Sequence, residues 1–191
     1  MAVSAAVAAA SAAAGHRENG RRYKTVDLQR TLKHLFYPPW FLRRAFPRES
    51  LKRIEAAIAD SETRHSAEIV FAVEPAIHHL SALFKGKGAR ERAIEVFSLL
   101  RCWDTEHNNG ILIYLLLADR KVEIIADRGI NALVPQPEWE GVCRLMEVEF
   151  SAGHLEQGIL NGIKGIERHL VRHFPPGAVN PDELPDRPHV L

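Results

Sequence analysis

The 191-residue sequence has only two cysteines, no apolar run long enough to cross a bilayer, and almost no net charge. Each shortage removes a class of protein. Two cysteines, Cys102 and Cys143, are too few for a disulfide scaffold and lack the CxxC spacing of a redox or zinc site. Both fall on apolar helical stripes and read as core side chains. The longest apolar run, Ile111 to Ala118, is eight residues, against about 20 for a membrane helix, so no transmembrane segment is expected. With 25 Lys+Arg against 24 Asp+Glu the net charge is +1, which offers no electrostatic footprint for nucleic acid. Catalytic signatures are missing too: there is no GxSxG, P-loop, HExxH or GxGxxG, and no arginine stands five residues after either cysteine.

What is present is the composition of a soluble globular domain, 46% hydrophobic and 26% charged. The charge is unevenly spread. Residues 16–53 hold eleven Lys/Arg and three Asp/Glu, leaving 14 against 21 for the rest, so a basic arm precedes an acidic body. Within the arm, Trp40 to Phe46 mixes bulky aromatics with arginines. That composition suits docking on an anionic membrane surface or an acidic protein through residues 33–53, or aromatics simply covering one end of the domain. The opening MAVSAAVAAASAAAG lacks a basic n-region and its apolar part is nearly all alanine, so it reads as a low-complexity tail and the protein as cytoplasmic. The expected organisation is a disordered Ala-rich tail (1–24), the basic aromatic arm (25–46), a domain (47–174) and a loose Pro-rich tail (175–191).

Periodicity predicts a short helix from Asp27 to Phe36, broken at Pro38-Pro39, and a helix carrying Leu51, Ile54 and Ile58 to about Arg64. Glu68 to Glu74 is a short apolar run flanked by carboxylates, the pattern of a strand buried on both faces. After a loop ending in Lys85-Gly86-Lys87-Gly88, a helix is expected from Ala89 to Trp103. Two further strands, Ile111–Leu117 and Lys121–Asp127, flank a turn read as three residues long, which sets Ile111 opposite Asp127. A helix with a buried stripe from Trp139 to Phe150 follows, and a last helix from about Leu155 to His173 carries a stripe from Leu155 to Leu170. Helices before, between and after three buried strands predict an α/β fold: a three-layer α/β/α sandwich with a small central mixed sheet.

The most polar stretch of the body, Asp104 to Gly110, leads into the second strand. If the first two strands are parallel, joined by the intervening helix, their starts share a sheet edge with the end of the third. Glu68, Asp104, Glu106, His107, Asn108, Asn109, Asp127 and Arg128 then gather at one mouth. Carboxylates and amide carbonyls are hard oxygen donors that suit calcium or magnesium, so Asp104, Asn108, Asn109 and Asp127 are the candidate metal ligands. Arg128, His107 and Glu68 are the candidate substrate-binding groups, with His107 a possible proton donor beside acids. The same residue types also cap helix ends and strand starts without any ligand. The loop is not an EF-hand, because Asn109 stands where glycine makes the sharp turn and Leu115 where a bidentate glutamate belongs.

Asn108-Asn109-Gly110-Ile111-Leu112-Ile113, then Leu117-Ala118-Asp119-Arg120-Lys121-Val122-Glu123-Ile124, then Asp127-Arg128-Gly129-Ile130, together resemble the core of the TPM-domain family. Phe150-Ser151-Ala152-Gly153 followed by Leu155-Glu156-Gln157-Gly158-Ile159 is similar to that family's second motif. The resemblance covers about Leu51 to Phe174. It implies the α/β/α sandwich and, in some relatives, divalent cation binding and acid phosphatase activity. Many relatives also carry a signal peptide and a C-terminal membrane helix. Where the family commonly has glycine-tyrosine-glycine-leucine-glutamate, this chain reads Asp127-Arg128-Gly129-Ile130-Asn131, with an amide at the end in place of the carboxylate. Two functions are therefore expected: a noncatalytic binding module with a divalent cation site, or a metal-assisted phosphoester hydrolase in which the metal activates water.

Overall fold

The computed structural model describes residues 34–77, 88–177 and 181–191. The Ala-rich tail, most of the Asp27–Phe36 helix, His78-His79 and the Lys85–Lys87 part of the basic spacer lie outside the described residues.

Two prolines set helix starts in the N-terminal half. Pro39 opens α1 (Pro39–Ala45), and Pro47 precedes α2 (Arg48–Glu62), positions where a missing N–H costs nothing. Ile54 and Ile58, one turn apart, are fully buried on α2. Strand β1 (Glu68–Glu74) is buried along its whole length. Helix α3 (Ala89–Leu99) crosses over to β2 (Gly110–Leu116), which lies parallel to β1 with Glu68 beside Gly110. A turn leads to β3 (Lys121–Ala126), antiparallel to β2. The chain continues through the one-turn helix α4 (Arg128–Asn131), α5 (Gln136–Ser151) and α6 (Leu155–His173).

The hairpin register differs by one residue from expectation. Leu116, not Leu117, faces Lys121, and Ile111 faces Ala126. Leu117 instead donates its N–H to the Glu74 carbonyl at 3.0 Å, and Ala118 to that of Pro75 at 2.9 Å. The turn thus holds four residues and closes with Arg120 at φ +50°, a left-handed conformation uncommon for a non-glycine residue.

A fourth strand comes from the segment expected to be loose. In the 181–191 stretch, β4 (His189–Val190) pairs parallel with β1, and Leu184 is buried. The sheet order is β3-β2-β1-β4, a mixed sheet as expected. One face carries Ile69, Phe71, Ile111, Ile113 and Leu115 against α2, α5 and α6; the other carries Val70, Ala72, Leu112, Tyr114 and Leu116 against α3. This is the α/β/α sandwich. Helix α5 closes on α6 because Gly158, Gly162 and Gly165 leave room for Phe150, Met146 and Val142.

Candidate functional site

The strand directions bring the expected residues to one rim. Glu68 donates its N–H to the Asn109 carbonyl at 3.2 Å, and Asp127 donates its N–H to the Gly110 carbonyl at 2.9 Å. The one-residue register difference leaves Asp127 at the rim, opposite Gly110 rather than Ile111.

Two glycines draw the rim together. A Cβ on Gly110 would collide with the Cys102 carbonyl, and one on Gly129 would lie 2.6 Å from the Asn108 carbonyl and 2.8 Å from that of His107. The NNG and DRG triplets are thus demanded by close backbone approach. Gly129 donates its N–H to the Asn108 carbonyl at 3.0 Å, and the Arg128 Nε donates to Asn108 Oδ1 at 2.6 Å. Asp127 Oδ1 accepts the Arg128 N–H at 2.7 Å and so caps α4. Asn109 donates through Nδ2 to the Ser66 carbonyl ahead of β1, while Thr105 Oγ1 accepts its backbone N–H at 3.1 Å.

These contacts sort the expected ligands. Asp104 is exposed and paired with Arg101 at 2.5 Å. Asn108 Oδ1 is taken by Arg128, so Arg128 and Asn108 hold each other. His107 is exposed on the loop. Glu68, only 1% exposed, points to the C-terminal segment: its Oε2 accepts the N–H groups of Glu183 (3.2 Å) and Leu184 (3.0 Å). Burial pushes its carboxyl up to about 7 against those two bonds. Two oxygens remain. Asn109 Oδ1 and Asp127 Oδ2 are both buried and have no hydrogen-bond partner among the described residues. Orphaned buried acceptors are uncommon, and an amide carbonyl and a carboxylate are hard donors of the kind that calcium and magnesium take.

The sequence reading missed a second acidic group. Among the described residues, the one place where three acidic ligand atoms lie within 4.8 Å of each other is Glu62, Asp182 and Asp186, not the loop mouth. Together with Glu68 they line a cavity of about 430 Å³ beneath the 181–191 segment. Burial, with Glu68 and Asp186 nearby, pushes Glu62 up to about 9, although Ile69 donates its N–H to it at 2.6 Å. The Asp182-Glu183…Asp186 spacing was visible in the sequence, but only docking of the tail shows what it faces.

No activated thiol serves either place. Burial pushes both Cys102 and Cys143 up to about 12, which keeps them as thiols rather than nucleophilic thiolates.

The TPM domain family profile matches residues 43–169. The chain belongs to the TPM domain family. An NMR structure of the BA42 protein from the psychrophilic bacterium Bizionia argentinensis superposes with a TM-score of 0.67 at 29% identity, covering 76% of this chain and 95% of that one. The solution NMR structure of the N-terminal domain of a protein from P. gingivalis matches with a TM-score of 0.54 at 15% identity, covering 66% and 78%, a likeness of fold. No curated protein matches the chain. The matched stretch of this TPM domain stops before residues 181–191, so the acidic cavity is built partly from chain beyond it. Among the described residues no helix is long and apolar enough to cross a membrane.

Proposed function

We propose that this TPM domain is a noncatalytic binding module whose basic aromatic arm docks on an anionic membrane surface. The carrying observation is the exposure of Leu35 (53%), Phe36 (73%) and Trp40 (61%) beside Arg43 and Arg44 in the last turn of α1. Apolar side chains that insert at the headgroup level, next to cations that meet anionic lipid, are the two ingredients of interfacial binding. The arm is held to the body: His34 Nδ1 accepts the Ile77 N–H at 3.0 Å and its Nε2 donates to Asp119 at 2.9 Å. Co-sedimentation of the full chain with phosphatidylcholine vesicles containing phosphatidylserine tests this reading. Binding is expected at low salt, release at high salt as screening rises, and weakening in Phe36→Ser/Trp40→Ser. A chain that stays in the supernatant at low salt overturns it and leaves an acidic protein as the partner to seek.

A second reading is favoured by the two orphaned oxygens. Asp127 Oδ2 and Asn109 Oδ1 would hold a divalent cation, and a bound cation supplies Lewis-acid polarisation of a phosphoryl oxygen. In that hydrolase reading Arg128, whose Nε is held by Asn108, turns its two terminal nitrogens to the substrate phosphate. Turnover of p-nitrophenyl phosphate that requires calcium or magnesium and disappears in Asp127→Ala supports it; equal rates in the two proteins reject it.

A further inference from the structure

At the rim opposite the loop mouth, a cavity of about 680 Å³ opens between the arm, the β2–β3 turn and the α5–α6 junction. That volume falls in the usual range for small-molecule sites, about 300–1,000 Å³. Tyr37, Phe41 and Phe150 supply aromatic walls, and Arg44 and Arg120 reach it from separate elements. The two guanidiniums contrast with Arg53, Arg64, Arg92, Arg101 and Arg128, each of which is held by a side-chain oxygen. Arg44 and Arg120 have no ion pair or side-chain hydrogen bond among the described residues. Arg120 owes its position to the left-handed turn residue of the hairpin.

The remaining lining leaves the two cations largely unopposed. Glu156, which also lines the cavity, is engaged by Arg53 at 2.5 and 2.8 Å and by Ser50 at 2.7 Å, and Arg53 holds it down to about 2, so its charge is already matched. Helix α6 begins here, and His154 at its N-cap places no side-chain acceptor on the first-turn N–H groups, leaving them for an anion. Burial pushes the Tyr37 hydroxyl up to about 12, so it keeps its proton and can donate.

We propose that this cavity binds a phosphate monoester carried on an apolar or aromatic body. Two guanidiniums arriving from different directions suit a multi-oxygen dianion, and the aromatic walls suit its organic part. The inference goes beyond membrane docking, because Arg120, Phe150 and α6 play no part in placing Phe36 and Trp40 on a bilayer. The phosphate could come from a soluble metabolite or from a lipid headgroup.

Calorimetric titration of the full chain with phenylphosphonate, which cannot be hydrolysed, tests it. Phenylphosphonate is expected to bind more tightly than either inorganic phosphate or phenol, and at least tenfold more weakly to Arg44→Ala or Arg120→Ala. Both arginines are exposed, so the variants keep the fold. Monomeric dihexanoylphosphatidic acid forms the second arm: tighter binding than phenylphosphonate identifies a lipid headgroup, weaker binding a soluble organic phosphate. No heat with phenylphosphonate, or unchanged affinity in the Arg44→Ala/Arg120→Ala double variant, overturns the proposal. The titration contains no bilayer, so its outcome is independent of the vesicle result.

Discussion

Gly110 and Gly129 show how much a single missing Cβ decides at the rim. At Gly110 the obstruction is the backbone carbonyl of Cys102, which cannot rotate away as a side chain would. Gly110→Ala is expected to cost about 3 kcal/mol through overpacking, read as a lowered urea midpoint. Gly141, on α5, is the contrasting case: the nearest atom to an added Cβ is the far end of Arg144 at 3.8 Å. Gly141→Ala should therefore stabilise by about 0.5–1 kcal/mol through helix propensity and reduced unfolded-state freedom, raising Tm by about 1–4 °C. Both triplets were conspicuous in the sequence as motifs. Their reason, three backbone carbonyls pressed onto the two positions, needed the loop's path in space. The division of labour among oxygen donors was equally hidden: Asp104 and Asn108 look as suitable as Asp127 and Asn109 until Arg101 and Arg128 are seen to occupy them.

The elements meet most tensely where α2, β1 and the 181–191 segment press carboxyl groups together. Glu62 is surrounded by Glu68 on β1 and Asp186 on the segment, while Asp186 also meets Asp182 and Glu55. Its folded-state value near 9 lies above the unfolded value of about 4.5, so its protonated form is favoured by the fold. That contribution is complete below about pH 4.5 and is lost as pH rises towards 9. His65 acts in the opposite sense: burial lowers it to about 4, so the fold loses stability as pH falls from about 6.5 to 4. Glu68, raised from 4.5 to about 7, loses its contribution in the same sense as Glu62 from about pH 4.5 upward, and together they outweigh His65. Thermal melts should accordingly show stability falling from about pH 5 to about pH 9, and Glu62→Gln should flatten that decline. An unchanged alkaline slope in Glu62→Gln would refute this account. The helices and strands that frame the cluster were legible from periodicity: β1 and α6 match expectation at both ends. The hairpin was misjudged by one residue because Leu117 continues an apolar run while its backbone has already left the ladder for Glu74.

Across the whole molecule, the sheet is finished by residues far along the chain, with His189 beside Ala72. Nothing local announces this: a proline-rich segment with one buried leucine has no alternation to mark a strand, so only the docked structure reveals the fourth position in the sheet. Ending the chain after residue 177 should remove the burial of Leu184, about 1.5–3 kcal/mol, and leave β1 as a bare edge, an invitation to pair with another copy. Size-exclusion chromatography should show the shortened chain forming larger species, and an unaltered monomer-like elution with unchanged Tm would contradict this. The layer architecture, by contrast, followed from the order of apolar runs, because a crossover helix leaves little choice about strand direction. The central place of β1 also sets a clock on solvent access. Hemmed by strands on both sides and by helices above and below, the amide protons of β1 that bond to β2 can trade for deuterium only when the entire domain opens. Those holding the short His189–Val190 pairing should trade sooner, giving two separable lifetimes within one strand.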